Sequence, residues 1–215
     1  LKIFLRNNII FLSLYLLFLI VGAVLIAKYE KGHEILVINQ LHTPFFDQLF
    51  KYITQMTEAP MLLLIVIVAL RFSYGKGLLL GINALLVFAV TGLLKNFAFA
   101  DHVRPSVFFE GKEQLNFVQG VEIYRYHSFP SGHTSSAFAL FFMFSILVNN
   151  KKWAPLFFTL ALLVGVSRVY LLEHFFHDVY AGSLIGVCVT AAFYLTFAQS
   201  SFYKNITWKD KALLQ

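Results

Sequence analysis

Two histidines, a carboxylate and an arginine stand at the edges of long apolar runs in this 215-residue chain. Ser167-Arg168 closes one run, His174 and Asp178 follow four residues apart, and Pro130-Ser131-Gly132-His133 opens an earlier run. If helix continues through His174 and Asp178, they share one face. An imidazole held by a carboxylate on one nitrogen has its tautomer fixed and its other nitrogen free as a nucleophile. Phosphorus is a suitable target, because phosphoryl transfer is mostly positioning plus charge stabilisation. Arg168 offers a planar fork that matches two phosphate oxygens. If a helix starts at Ser131 and Gly132, its free N–H groups and its dipole favour an anion there, with Pro130 restricting the approach. His133, at the same start, is the candidate acid that protonates a departing oxygen.

The elements that position these groups are membrane-length. Of all residues 59% are hydrophobic and 13% charged, against about 45–50% and about 25% in a soluble domain, and mean hydropathy is +0.72. A spanning helix needs about 20 mostly apolar residues. Six spans are expected, roughly 8–27, 56–71, 76–94, 133–149, 154–172 and 178–198, in a single all-α domain over 1–215. The first reads as a retained span, too long for a signal-peptide core and without a small-residue cleavage pattern before Lys28. The second is the weakest, with its uninterrupted apolar stretch confined to Met61–Leu70. Between the first two, residues 34–53 alternate apolar and polar positions around Pro44, which suits short helices lying at the interface. The 101–129 connector is polar and long, and long loops in compact proteins are usually functional or disordered.

Charge sets the expected orientation. Lys2, Arg6, Arg71, Lys76, Lys151, Lys152, Lys204, Lys209 and Lys211 flank one set of span ends, and seven basic residues flank the other. The two short basic loops, Arg71–Lys76 and Lys151-Lys152, favour termini in the cytoplasm. Lys95, Arg104, Ser131, His133, Arg168, His174 and Asp178 then all reach the outer surface. The net charge of +6 is spread around the span ends, with no basic stripe to hold a nucleic acid, so anionic lipid headgroups account for it. The lone Cys188 permits no internal disulfide and no cysteine metal cluster.

Plainer readings exist for each residue. An interfacial histidine is commonly just a polar group at headgroup level, and a His–Asp pair at i,i+4 can be a helix contact of about 0.2–0.5 kcal/mol. A metal site built from His174, His177 and Asp178, with His133 or His102, is the rival for clustered histidines. Arg168 and Arg104 argue against it, since they would repel a cation. The gathering of all these groups at one end of the spans favours phosphate chemistry.

These residues carry a resemblance to the type 2 phosphatidic acid phosphatase (PAP2) family of integral-membrane lipid phosphatases. Its signatures are Lys-x₆-Arg-Pro, Pro-Ser-Gly-His and Ser-Arg-x₅-His-x₃-Asp. The second matches completely at residues 130–133, and the third at Ser167-Arg168, His174 and Asp178. The resemblance implies that His174 is the nucleophile, Asp178 its partner and His133 the general acid, with Arg168, Arg104, Ser131 and Gly132 holding phosphate. The first signature departs from the pattern, because eight residues rather than six separate Lys95 from Arg104-Pro105. Either the chain between Phe97 and Val103 bulges so that Lys95 and Arg104 converge on phosphate, or Lys95 is an interfacial anchor. Glu173 and His177 belong to no signature and read as tuning the surface around the site; His102, Asp101 and Arg125 are candidates for headgroup contact only.

The implied activity is hydrolysis of a phosphate monoester or diphosphate on a membrane lipid, without metal or other cofactor, at the outer face of a bacterial cytoplasmic membrane. Undecaprenyl diphosphate, phosphatidylglycerophosphate and lipid A type substrates are all compatible, because the motifs read only phosphate. Transfer of the phosphoryl group to another acceptor, or lipid binding and transport without cleavage, are the alternatives.

Overall fold

The computed structural model describes residues 1–212, and among them the regular structure is entirely helical. Among the described residues four helical stretches are long and apolar enough to cross a bilayer. They are α2 (Ile9–Lys28), α6 (Tyr74–Leu93, extended to Ala98 by a wider π turn), α9 (Ala154–Tyr170, preceded by a 3₁₀ turn at Lys151–Trp153) and α10 (Phe176–Phe193, extended to Ala198). A fifth crossing is counted if α4 (Pro44–Gln55) and α5 (Ala59–Phe72), bent by 55° at their junction, act as one span. The remaining apolar helix, α8 (Gly132–Leu147), has 16 residues, or about 24 Å at 1.5 Å per residue, short of a hydrocarbon core of about 30 Å. The sequence expectation of six spans therefore resolves into six apolar helices in the expected order, of which only four meet the length criterion alone. Two physical reasons explain the shortfall. Glu58 and Pro60 stop α4 from running straight into α5, and α8 is buried along most of its length, so bilayer thickness does not dictate its extent.

The minor helices are α1 (Lys2–Asn7), α3 (His33–Asn39), α7 (Pro105–Phe108) and α11 (Ser201–Lys204). The amphipathic 34–53 stretch becomes α3 and α4, divided before Pro44. Thr43 caps α4 by accepting from the Phe46 amide at 3.3 Å, with Pro44 in the first turn, where its missing N–H costs nothing. Ser73 caps α6 from the Lys76 amide in the same way.

Inside lipid, burial from water cannot drive helix association, so close packing must. The core is an aromatic column: Phe11 stacks on Phe142 at 4.9 Å and meets Phe158 edge-on at 5.7 Å, while Tyr15 packs on Phe138. Such pairs contribute about 0.5–1.5 kcal/mol beyond their area. A second device is the small-residue seam between α8 and α10. Gly182 and Gly186, four apart on α10, face the Ser131 and Ser135 carbonyls, and a Cβ on Gly182 would lie 2.6 Å from the Ser131 oxygen. Only glycine permits this approach.

Antiparallel alternation sorts the ends. Phe4 packs on Phe142 and Tyr194. The Lys209 carbonyl accepts from Ser73 Oγ and the Gly75 amide. Lys151 Nζ donates to the Ser145 carbonyl. N-terminus, C-terminal segment and both short basic loops thus share one end of the bundle. The C-terminal ends of α6 and α9 and the N-terminal ends of α8 and α10 form the other end, beneath the 99–131 loop.

Candidate active site

Each site residue lies within a turn of a helix end, or on the loop above it. Ser131 is the N-cap of α8 and accepts from the Thr134 amide at 3.4 Å. Its own amide donates to the Asp178 carbonyl at 3.0 Å, which ties the start of α8 to the first turn of α10. Among the described residues the Gly132 and His133 amides have no backbone partner, as expected of the first helical positions. Asp178 lies in the first turn of α10. Its Oδ2 accepts from the Phe175 amide at 3.0 Å, half of a capping box; Phe175 has no side-chain oxygen to supply the other half. The same oxygen accepts from Ser128 Oγ at 2.6 Å and faces His174 Nδ1 at 3.4 Å.

His174 sits between α9 and α10, with 1% of its surface exposed. Its amide and that of Glu173 both donate to the Arg168 carbonyl, which folds the connection back over the arginine. Burial pushes the His174 pKa well below its ordinary value, and the charges of Arg104, Lys95 and Arg168 push it further the same way. The imidazole is therefore neutral near pH 7, the state in which a ring nitrogen can attack.

Arg104 and Arg168 converge on Glu173. Arg104 Nη1 donates to Glu173 Oε2 and to the Glu173 carbonyl, and its Nε donates to the Tyr126 carbonyl at 3.0 Å. Arg168 Nη2 lies 3.3 Å from the same Oε2, and its Nη1 donates to Thr54 Oγ1 at 2.6 Å. The three side chains are 8%, 7% and 3% exposed for Arg104, Arg168 and Glu173. Burial raises the Glu173 pKa from its ordinary value, against the pull of Arg168 and Arg104.

Lys95 lies in the π turn Leu94–Ala98, where the Phe99 amide reaches five residues back to the Leu94 carbonyl. A π turn takes up an extra residue per turn, so the irregularity expected between Phe97 and Val103 begins earlier, inside the helix. Lys95 Nζ donates to the His127 carbonyl at 3.0 Å and lies within Coulombic range of Arg104, Arg168 and Asp178.

Two cavities meet at this cluster. A polar cleft of about 390 Å³ is lined by Lys51, Thr54, Tyr124, Arg168 and Glu173, and an apolar groove of about 470 Å³ runs between α5, α6 and α8 past Leu62, Phe88 and Lys95. His133 and Glu58 line both.

The structure thus brings His174, Asp178, His133, Arg168, Arg104, Lys95, Ser131 and Gly132 to one end of the bundle. Arg125 instead pairs with Glu110 on the surface, and the His102 ring packs against Phe99 and Phe129. His177 turns toward a different, largely apolar cavity of about 420 Å³ between α2, α9 and α10. Among the described residues no three His, Cys, Asp or Glu groups are placed to share a metal, so the His174–His177–Asp178 ligand set is not assembled. The surface role read for Glu173 is also corrected, since its carboxylate is buried between two arginines. Thr54 and Ser128 were missed altogether. Nothing in the local sequence of either marks it, because their partners lie 114 and 50 residues away.

Comparison with known proteins identifies the family. The chain is 35% identical over 117 residues to lipid phosphate phosphatase 1 of Arabidopsis thaliana, covering 45% of this chain and 36% of that protein. It is 38% identical over 76 residues to the bacitracin transport permease protein BcrC of Bacillus licheniformis, covering 35% and 36%. The chain thus spans about a third of the length of these curated relatives. Aquifex aeolicus LpxE superposes with a TM-score of 0.66 at 25% identity, covering 78% of this chain and 96% of that one. The first transmembrane PAP2 type phosphatidylglycerolphosphate phosphatase from Bacillus subtilis superposes with a TM-score of 0.51 at 27% identity, covering 85% and 92%. The PAP2 superfamily profile matches residues 76–202, the stretch that carries Lys95, Arg104, Ser131, His133, Arg168, His174 and Asp178, and the chain belongs to the PAP2 superfamily.

Proposed function

We propose that this protein is a lipid phosphatase that hydrolyses a phosphate monoester or diphosphate on a membrane lipid through a phosphohistidine at His174. The observation that carries the reading is the position of His133, in the wall of both the polar cleft and the apolar groove. A phosphate in the cleft and an acyl or prenyl tail in the groove put the bridging oxygen beside that imidazole. Such a tail reaches the groove sideways from the bilayer, past α5. The names of two relatives, a lipid phosphate phosphatase and a phosphatidylglycerolphosphate phosphatase, point to the same substrate class.

In the first step Nε2 of His174 attacks phosphorus. The N–P bond forms, the bridging P–O bond breaks, and His133 gives its proton to the departing lipid oxygen. Asp178, itself held by the Ser128 hydroxyl, holds the Nδ1 side of the ring and offsets the charge it acquires. In the second step His133 takes a proton from water, the hydroxide attacks phosphorus, and the N–P bond breaks to release inorganic phosphate. Arg104, Arg168, Lys95 and the first amides of α8 neutralise the equatorial oxygens throughout. These positive groups fill the role a divalent cation would have, so turnover proceeds without metal.

All six apolar helices cross the membrane in this reading, with α8 shielded by its neighbours. Basic termini and short loops face the cytoplasm, and the cleft opens to the exterior of a bacterial cytoplasmic membrane. The test is phosphate release by the purified protein from phosphatidic acid, phosphatidylglycerophosphate, undecaprenyl diphosphate and lipid A, with EDTA present. Release from at least one, abolished in His174→Ala, is expected. No release from any overturns the reading. Labelled phosphate recovered on a second lipid or sugar, instead of free in solution, marks a phosphotransferase.

A further inference from the structure

Glu173 has no role in the chemistry above, yet no other acidic side chain among the described residues pairs with both Arg104 and Arg168. A carboxylate that is 3% exposed has given up most of its hydration, and burial raises its pKa. Two guanidinium groups offset that cost. The geometry is also economical in donors. A single oxygen, Oε2, accepts from Arg104 Nη1 and lies 3.3 Å from Arg168 Nη2, while Thr54 and the Tyr126 carbonyl hold other edges of the two forks.

Two consequences follow from elementary electrostatics. First, the shared oxygen fixes the spacing of two cations that would otherwise repel each other, and both must be aligned when phosphorus is attacked. Second, it places a negative charge beside the seat of a phosphate dianion and occupies donors that phosphate could use. Glu173 offsets part of the positive charge of Arg104 and Arg168, and so weakens the hold on the inorganic phosphate that must leave at the end of each cycle.

We propose that Glu173 is a positioning residue that couples Arg104 to Arg168, aligning them for turnover while limiting how tightly phosphate is held. The inference rests on the phosphatase reading of the site. It predicts that affinity and rate move in opposite directions, which a merely structural residue would not produce. In Glu173→Gln the carboxamide keeps the shape and loses the charge. Inorganic phosphate should then bind more tightly, by about 10-fold, as relief of a like-charge contact allows. The maximal rate of phosphate release should fall, by up to about 100-fold, because the arginines are no longer held in register.

Inorganic phosphate binding to detergent-purified protein, followed by titration calorimetry, is compared with kcat on the best lipid of the panel, and thermal midpoints establish that each variant is folded. Tighter phosphate binding with lowered kcat in Glu173→Gln supports the proposal. Unchanged or weaker binding in the folded variant overturns it. Glu173→Asp keeps the charge but is one methylene too short to reach both arginines. It should lower kcat with phosphate affinity within about 3-fold of the parent, and a parental kcat overturns the coupling even if the glutamine variant does not fold. Phosphate binding needs no lipid, so the two readings fail separately. A parent that binds phosphate but hydrolyses nothing removes the phosphatase reading, whereas a parent that hydrolyses lipid with Glu173→Gln unaltered removes only the role of Glu173.

Discussion

Ser128 Oγ lies 2.6 Å from Asp178 Oδ2, closer than the Nδ1 of His174, which faces the same oxygen at 3.4 Å. The carboxylate that orients the proposed nucleophile is itself held by a loop hydroxyl and by the Phe175 amide. Ser128→Ala removes a neutral partner from a charged acceptor, a hydrogen bond worth about 1.5–3 kcal/mol. It should lower kcat about 10-fold with little change in KM. Asp178→Asn should cost far more, about 10⁴-fold by analogy with other histidine–carboxylate pairs. Phosphate-release kinetics on both variants check the order, and an Asp178→Asn protein of near-normal activity would remove Asp178 from the mechanism.

The roles of the two histidines separate by leaving group. His174→Ala should be inactive on every substrate, since no covalent intermediate can form. His133→Ala should lose about 10²- to 10⁴-fold on a lipid phosphate, whose alkoxide needs a proton. On para-nitrophenyl phosphate, whose leaving group needs none, the burst of nitrophenol from His133→Ala should return to near the parental rate. Equal losses on both substrates would deny His133 its role as acid.

Lys95 supplies a charge from inside the π turn. If its ammonium stabilises phosphate, Lys95→Ala should lower kcat/KM by about 10-fold for each 1.4 kcal/mol lost. Lys95→Arg should recover only part, because a planar fork cannot reproduce a point charge on a flexible stem. A silent Lys95→Ala, with parental vanadate affinity, would make the residue an anchor that holds the 127–129 loop through the His127 carbonyl.

The pH dependence follows from the depressed pKa of His174. The attacking ring must be neutral, and a lowered pKa means that it accepts a proton only at pH well under its ordinary value of about 6.5. The acidic loss of phosphorylation rate due to this residue should therefore lie well below that pH. Arg104 is the largest of the neighbouring charges acting on it, so Arg104→Gln should raise the His174 pKa and bring the loss to higher pH. Nitrogen-resolved NMR of labelled histidines reads both shifts, and titration near 6.5 in the parent protein would contradict the prediction.

Much of this arrangement was legible in the chain because it is local. Pro130 to His133 form a helix start, whereas His174 lies before α10 begins at Phe176, so its contact with Asp178 is made across the helix start and not along one helical face. The bundle was legible too, in that helix ends repeat at apolar–polar boundaries. Two kinds of feature escaped. Helix lengths were not legible from apolarity alone, since Glu58 and Pro60 bend α5 away from α4 and burial relieves α8 of the need to span alone. The Glu173 bridge was misread because its partners are 5 and 69 residues away, and a charged residue next to a motif looks exposed until the loop is folded back. The displaced first motif was half legible: the two extra residues required an irregular backbone, but not a π turn starting at Leu94.

The glycine seam has a further mechanical meaning. Gly182 and Gly186 weld α8 to α10, so His133 and Asp178 ride on one stiff block. Every residue of α5, by contrast, keeps some of its surface exposed, and this helix forms the outer wall of the groove. Changes in bilayer thickness or lateral pressure therefore deform the wall and leave the block intact. Lengthening the acyl chains of the host membrane should alter how readily a lipid is admitted, seen in KM, while the bond-breaking rate stays constant.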